Sequence, residues 1–300
     1  MYWENMDKDI AAFTKACPTC QRFKKKRKKY GRLPPKDVSM IPWETVCIDL
    51  VGPYTVTDKL GKDRTLLAMT FVDPATGWFE ITEIPEKSSA RISHIFNSTW
   101  LARYPRPKKV IFDNGNEFKK DFLPLLHDFA IKPTPTTIKN PQANAILERL
   151  HQVLGDMLRT KNLEQYDFDN VDPWGELLAS VAWAIRSTHH TTLQASPAQL
   201  VFGRDMLLDM KFLADWEAIR LRKQKDVDKN NSKENSLRVP HDYQVGDKVL
   251  VTDKDIHRKL NCPTKGPYSI VQVYANGTIR VQRGAVTERI NIRRCTPYTV

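Results

Sequence analysis

Thr45-Val46-Cys47-Ile48-Asp49-Leu50-Val51, closed by Gly52-Pro53, is an apolar, β-branched run with one carboxylate near its end. Such a run reads as a buried strand, and its reading decides how the neighbouring sequence is organised. Downstream, Leu66 to Val72 and Trp78 to Ile84 are two further strands, with Thr76-Gly77 suited to the hairpin turn between them. Residues 88–104 change period. Ile92, Ile95, Phe96, Trp100 and Leu101 form a helical stripe. Lys109-Val110-Ile111-Phe112 is a short buried strand running into Asp113-Asn114-Gly115, and Phe118, Phe122, Leu125, Leu126 and Phe129 mark a helix stopped by Pro133 and Pro135. The next helix is expected from Pro141, with Asn140 as N-cap, and its stripe is Ile146, Leu147, Leu150, Val153, Leu154, Met157 and Leu158. A last helix covers about 174–188. Three early strands joined by tight turns, followed by strands alternating with helices, predict an α/β fold: a mixed sheet with helices on its faces.

Asp49 and Asp113 each end an otherwise apolar strand, where a side chain can face a site instead of the core. Glu148 lies opposite the apolar stripe of its helix, with Asn144, His151, Gln152, Gly155 and Arg159 as its neighbours at helical spacing. Three carboxylates brought together repel one another and resist desolvation unless a cation neutralises them. Oxygen ligands without His or Cys suit two Mg2+ or Mn2+ ions, which serve in-line phosphoryl displacement. Singly, each acid also reads as a turn residue or a solvated helix residue.

The flanks differ in composition. Residues 1–38 begin helical and become very basic, 39–205 hold the strands and helices above, 206–240 read as a charged linker, partly helical at its start, and 241–300 are short β runs separated by Gly, Pro and Asn. With 47 Lys and Arg against 35 Asp and Glu, the formal charge of +12 suits a polyanionic partner through counterion release, or serves solubility alone. Five cysteines, of which only Cys17 and Cys20 are close in sequence, argue against a disulfide framework. No apolar run is long enough to span a bilayer, and the Met1-Tyr2-Trp3 start has no signal pattern, so the chain is expected to be intracellular. Cys17-Pro18-Thr19-Cys20 is half of a tetrahedral zinc set, a redox pair, or inert. The basic run around Lys24, Lys25, Lys26 and Arg27 suits phosphate contact, nuclear import or a mobile linker.

Val46-Cys47-Ile48-Asp49-Leu50-Val51-Gly52-Pro53, Phe112-Asp113-Asn114-Gly115-Asn116-Glu117-Phe118 and Asn140-Pro141-Gln142-Ala143-Asn144-Ala145-Ile146-Leu147-Glu148-Arg149 together resemble the catalytic core of retroviral and gypsy-type long-terminal-repeat retrotransposon integrases. Thirty-four residues separate Asp113 from Glu148, close to that family's interval. Ser196-Pro197-Ala198-Gln199-Leu200-Val201-Phe202-Gly203-Arg204 resembles the segment after the core, and Lys265-Gly266-Pro267-Tyr268 resembles the GPY module, an SH3-like barrel. The resemblance implies an RNase H-like core with Asp49, Asp113 and Glu148 as ligands of two Mg2+ ions. It implies 3′-end processing and strand transfer on element ends and target DNA, a homo-oligomer, and a nuclear site of action, with a cytoplasmic virus-like particle beforehand. By the same resemblance Asn114 and Glu117 shape the site beside Asp113, and Gln142 and Asn144 lie near the substrate. His151, Gln152 and Arg159 point toward DNA, and the barrel offers Arg280, Arg283, Arg293 and Arg294 to DNA or a partner subunit. The family's zinc domain places two histidines before its cysteines. Here the first histidine is His94, so the amino terminus reads as a truncated remnant of that domain and Cys17 and Cys20 are not expected to hold Zn2+. Two rivals stand beside this expectation: a catalytically silent, domesticated DNA-binding relic, and an RNase H-like nuclease acting on hybrids.

Overall fold

A computed structural model of the chain describes residues 2–24, 28–38, 41–113, 115–135, 145–160, 163–252 and 262–299, with the side chains of all of these but 145–149. The chain forms two compact units, one of residues 37–225 and one of residues 1–36 with 226–300.

The chain opens with α1 (Met6–Ala16), α2 (Pro18–Phe23) and the two-residue strand β1 (Lys29–Tyr30). The larger unit then follows. Its strands are β2 (Thr45–Thr57), β3 (Asp63–Val72), β4 (Phe79–Glu83), β5 (Lys109–Phe112) and β6 (Lys132–Pro135), forming one sheet of order β4-β3-β2-β5-β6. β3 runs antiparallel to both β2 and β4, while β5 is parallel to both β2 and β6. This is the mixed sheet the sequence predicts. Its helices are α3 (Ser89–Phe96), which continues as a π-turn through Leu101, α4 (Phe122–Asp128), α5 (Ala145–Thr160), α6 (Pro173–Ser187) and α7 (Pro197–Phe202).

Strand alternation sorts the side chains onto two faces. Val46 and Ile48 join Phe71, Phe96, Trp100 and Phe122 in a core under α3 and α4. Cys47 and Val51 join Ala68, Phe79, Leu154, Trp174 and Val181 in a second core under α5 and α6. Helices on both faces of a mixed five-stranded sheet make this unit RNase H-like. Gly52-Pro53 does not end β2 as the sequence suggests. The strand runs on to Thr57 through a register shift between Val51 and Tyr54. Gly52 makes this possible: its φ is +94° and a Cβ there would stand 2.5 Å from the Leu66 carbonyl oxygen, so only glycine fits the bulge.

The predicted helix beginning at Pro141, with Asn140 as cap, starts outside the described residues, and its described part is α5. Val153, expected in the apolar stripe of α5, is exposed, while Leu154 is fully buried.

The expected linker, 206–240, folds instead. Leu193, Ala195, Leu200 and Ile219 close a third apolar cluster with Phe212 and Trp216, which carries the larger unit beyond residue 205. From Trp216 the chain forms α8 (Trp216–Ser236), 21 residues of mostly Lys, Arg, Gln, Glu, Asp and Asn. Its straight-chain residues lose little rotamer freedom in a helix. Within the larger unit, Arg222 donates to the Thr192 and Leu193 carbonyls.

In the smaller unit β7 (Arg238–Val239) pairs with β1. Strands β8 (Lys248–Thr252), β9 (Thr264–Tyr274), β10 (Thr278–Arg283), β11 (Val286–Asn291) and β12 (Cys295–Pro297) form an antiparallel sheet of order β11-β10-β9-β8-β12. Leu33, Val249, Ile270, Ile279, Val281 and Ile290 fill its core. The amino-terminal segment packs here. Arg238 donates to the Gly31 and Tyr30 carbonyls, Gln21 to the Thr299 carbonyl, and Thr264 Oγ1 to the Arg22 carbonyl.

Candidate active site

Register places the two aspartates. β2 and β5 pair in parallel at Thr45 with Lys109, Val46 with Val110, and Cys47 with Ile111. Asp49 and Asp113 each stand two residues beyond that last pair; Asp113 follows the end of β5, whereas Asp49, expected at a strand end, lies inside β2, which runs on to Thr57 beside β3. Asp49 shares the face of Cys47 and Val51, the one covered by α5. Its Oδ1 accepts from the Leu50 amide at 2.9 Å. Thr70 is its register partner on β3 and donates from Oγ1 to the Asp49 carbonyl at 3.1 Å. The same hydroxyl lies 2.9 Å from His151 Nε2, and His151 Nδ1 is 3.9 Å from Asp49 Oδ2.

His151 is therefore not a residue of a free helix face. Its half-buried ring closes over Asp49 and Thr70 because Leu150, Leu154, Met157 and Leu158 turn that side of α5 toward the sheet. Burial pushes the ring down to about 4, so it is neutral near pH 7. Glu148 is three positions before His151 and shares its face of α5. Its side chain, and Gln142 and Asn144 altogether, lie outside the described residues.

Asp113 is exposed where β5 gives way to a turn, and its Oδ1 accepts from the Gly115 amide at 3.0 Å. Glu117 folds back over that turn. A Cβ on Gly115 would stand 2.5 Å from Glu117 Oε2, so glycine makes room for this carboxylate. Buried Phe118 anchors the segment against Phe112 and Phe122. Asn114 lies outside the described residues. Among the described residues no ion pair involves Asp113, and no group of three His, Cys, Asp or Glu is placed to hold a metal. Two carboxylates just past the last β2–β5 pair, on a sheet covered by a helix that carries a third, supply hard oxygen donors, the donor chemistry that fits Mg2+ or Mn2+. Gln152 and Arg159 are exposed. They line an open cleft of about 1040 Å³ with His151, Tyr54, Gly155 and Glu164, and Arg159 pairs with Asp156.

The other expected contacts belong to the smaller unit. Lys24 is exposed, and Lys25, Lys26 and Arg27 lie outside the described residues. Arg293 and Arg294, expected to meet DNA, are held inside the unit. Arg293 makes two 2.8 Å hydrogen bonds to the Glu234 carboxylate, and the buried Arg294 donates to the Thr252 carbonyl. Both sit on a 3-10 turn packed against the sheet, a direction that composition does not reveal. Cys17 and Cys20 flank the start of α2, where a hydrogen bond from the Cys20 backbone draws the Cys17 thiol below its usual range. Thr70 was missed by sequence reasoning, since only strand register shows that this threonine faces Asp49.

Residues 1–26 match the model of the integrase zinc-binding domain. Over 305 aligned residues, covering 93% of the chain, it is 24% identical to the retrovirus-related Pol polyprotein from transposon 412 of Drosophila melanogaster. Over 72% of the chain it is 28% identical to the Pro-Pol polyprotein of feline foamy virus. The chain spans 24% and 18% of the length of these two relatives. Among solved structures, a chain of the simian T-cell lymphotropic virus intasome in complex with PP2A regulatory subunit B56 gamma matches 97% of this chain and 90% of its own length, with a TM-score of 0.64 at 16% identity. In its motifs, its fold and these relatives together, the chain is similar to the integrases of long-terminal-repeat retrotransposons and retroviruses.

Proposed function

We propose that the chain is the integrase of a gypsy-type element, joining element DNA ends to target DNA in the nucleus as a homo-oligomer, with Asp49, Asp113 and Glu148 as the carboxylates of the reaction. The observation that carries this reading is that Asp49 and Asp113 both lie two residues past the last parallel pair of β2 with β5, on a sheet whose covering helix bears Glu148 one turn from His151.

Those three carboxylates would hold two Mg2+ or Mn2+ ions, which when bound supply an activated attacking oxygen and a countercharge for the leaving oxygen. In the first step a water oxygen bonds to phosphorus near the element's 3′ end, and the phosphorus–oxygen bond to the terminal nucleotides breaks. In the second, the freed 3′-hydroxyl loses its proton, bonds to a target phosphorus, and displaces the target's 3′-oxygen. The protein's part is positioning. The Leu50 amide and the Thr70 hydroxyl fix Asp49, and the neutral His151 ring covers it without adding a competing positive charge. The cleft beside His151, with exposed Gln152 and Arg159, gives the substrate strand a polar wall. The match at residues 1–26 supports a zinc-domain ancestry for the amino terminus. Cys17 and Cys20 supply two of the four ligands such a site needs.

The rival reading is a relic that binds DNA without joining it. A strand-transfer assay in Mg2+ separates the two. Wild type is expected to join a labelled duplex end to plasmid DNA, and Glu148→Gln is expected to fall to background with unchanged DNA affinity. Binding without joining by the wild-type protein would favour the relic. Cleavage of RNA–DNA hybrid in place of joining would favour a nuclease.

A further inference from the structure

The hydrogen bonds beside Asp49 fix which ring nitrogen of His151 carries the proton. Thr70 has one hydroxyl proton, and its Oγ1 gives that proton to the Asp49 carbonyl at 3.1 Å. The same oxygen lies 2.9 Å from His151 Nε2, so at that contact it accepts. Nε2 is therefore the protonated nitrogen of the neutral ring, and Nδ1 keeps its lone pair. Nδ1 is the nitrogen that stands 3.9 Å from Asp49 Oδ2. Two acceptors thus face each other, an arrangement that is unfavourable until a cation or a donor stands between them.

A histidine that binds a metal almost always gives its other ring N–H to an oxygen, which sets the tautomer and the orientation of the ring. Here that oxygen is the Thr70 hydroxyl, itself tied to the backbone of Asp49. Packing holds the group in place: Thr70 is fully buried, and Leu150 and Leu154 seat α5 on the sheet. A metal–nitrogen and a metal–oxygen bond of about 2.1 Å each span up to about 4.2 Å, so one ion can reach both Nδ1 and Oδ2.

We propose that His151 Nδ1 is a nitrogen ligand of the ion that Asp49 holds, and that it makes this centre prefer Mn2+ to Mg2+ more strongly than three carboxylates alone would. Mg2+ gives up water reluctantly and keeps to oxygen ligands, whereas first-row transition ions accept imidazole more readily. The proposal rests on the reading of Asp49 as a metal ligand. It adds a donor outside the three carboxylates and a metal preference that follows from it.

The test uses the full chain with Mn2+ alone and, separately, with Mg2+ alone. Electron spin-echo modulation of bound Mn2+ is expected to show one directly bound imidazole nitrogen. That signal should vanish in His151→Gln, which offers an amide oxygen instead. By calorimetric titration the same variant should bind Mn2+ on the order of ten-fold more weakly, with a smaller change for Mg2+. Thr70→Ser keeps the hydroxyl and should behave as wild type. Thr70→Val frees the ring to carry its proton on Nδ1, and should weaken both the nitrogen signal and Mn2+ binding while circular dichroism stays intact. In the metal-free protein, nitrogen NMR of the ring should show Nε2 protonated and Nδ1 bare; the reverse overturns the proposal. Bound Mn2+ without the nitrogen signal, or a signal that survives in His151→Gln or Asp49→Asn, overturns it too and leaves the integrase reading standing. If wild type shows the signal but fails to join DNA, the integrase reading falls and the His151 ligand stands. Absence of Mn2+ uptake by wild type, even with a duplex end present, overturns both.

Discussion

Each unit of this protein uses strand register to force like charges together, and the two do so with opposite signs. In the larger unit, Asp49 inside β2 and Asp113 just past β5 each stand two residues beyond the last parallel pair of these neighbouring strands. In the smaller, Arg280 and Arg289 are direct partners across an antiparallel ladder. Either arrangement costs folding free energy that apolar residues at the same positions would not. The countercharge differs. The acidic pair stands beside a helix bearing a third carboxylate and calls for cations. The basic pair lies over the Tyr274 ring on an exposed sheet face.

The largest expected effect breaks the acidic half. Asp113→Asn removes one charge and keeps the side chain's shape. Joining in Mg2+ should fall on the order of 100- to 1000-fold, as when one preorganised electrostatic group is removed from a reacting centre. Thermal stability should stay level or rise, because the variant removes a like charge from the neighbourhood of Asp49. Calorimetry beside the joining assay reads both. A fall in stability matching the fall in activity would show that Asp113 supports the turn into Glu117 instead of the reaction.

A smaller effect sharpens the same half through pH. Burial pushes His151 from the ordinary histidine value of 6.5 down to about 4. A group whose folded pKa is depressed below its unfolded value binds its proton first in the unfolded state. The contribution of the neutral ring is therefore present above about 6.5 and is lost as pH falls toward about 4. At about 1.4 kcal/mol per pH unit, the loss is at most about 3 kcal/mol. Urea midpoints measured between those limits should fall with pH in wild type and flatten in His151→Gln. An imidazole resonance titrating near the unperturbed value would show that the ring does not pack over Asp49 and Thr70.

The acidic half was legible in sequence because its residues interrupt strong patterns. Asp49 breaks an apolar strand, Asp113 opens a Gly-containing turn, and Glu148 sits off an apolar stripe. The sheet order, however, depends on partners far apart in the chain, and so did Thr70, whose role appears only through its pairing with Asp49. The basic half was legible only in part: Arg280 was offered with Arg283, Arg293 and Arg294, but its register partner Arg289, nine positions on, was not singled out, whereas adjacent Arg293 and Arg294 look like a patch. Folding reverses that impression by turning the adjacent pair inward. The helix across 206–240 was masked too. A polar segment lacks the periodicity by which helices are recognised, and Ile219 is its only buried residue.

Arg293 offers the least disruptive way to separate a structural arginine from a DNA-binding one within the smaller unit. Its guanidinium makes two hydrogen bonds to the Glu234 carboxylate, and both side chains are mostly buried, 16% and 17% exposed. Arg293→Ala should therefore cost about 2 kcal/mol of stability, the usual range for hydrogen bonds to a charged group. Glu234 would retain its weaker pairing with Arg238, which limits the loss. The slope of DNA affinity against salt, on logarithmic axes, should not change, since this guanidinium has its countercharge within the protein. Exchanging the exposed pair, Arg280→Gln/Arg289→Gln, should give the mirror signature: stability level and slope reduced, against stability down and slope constant. If Arg293→Ala instead lowers the slope and spares the midpoint, the Glu234 pair opens when DNA binds, and the division between inward and outward arginines fails.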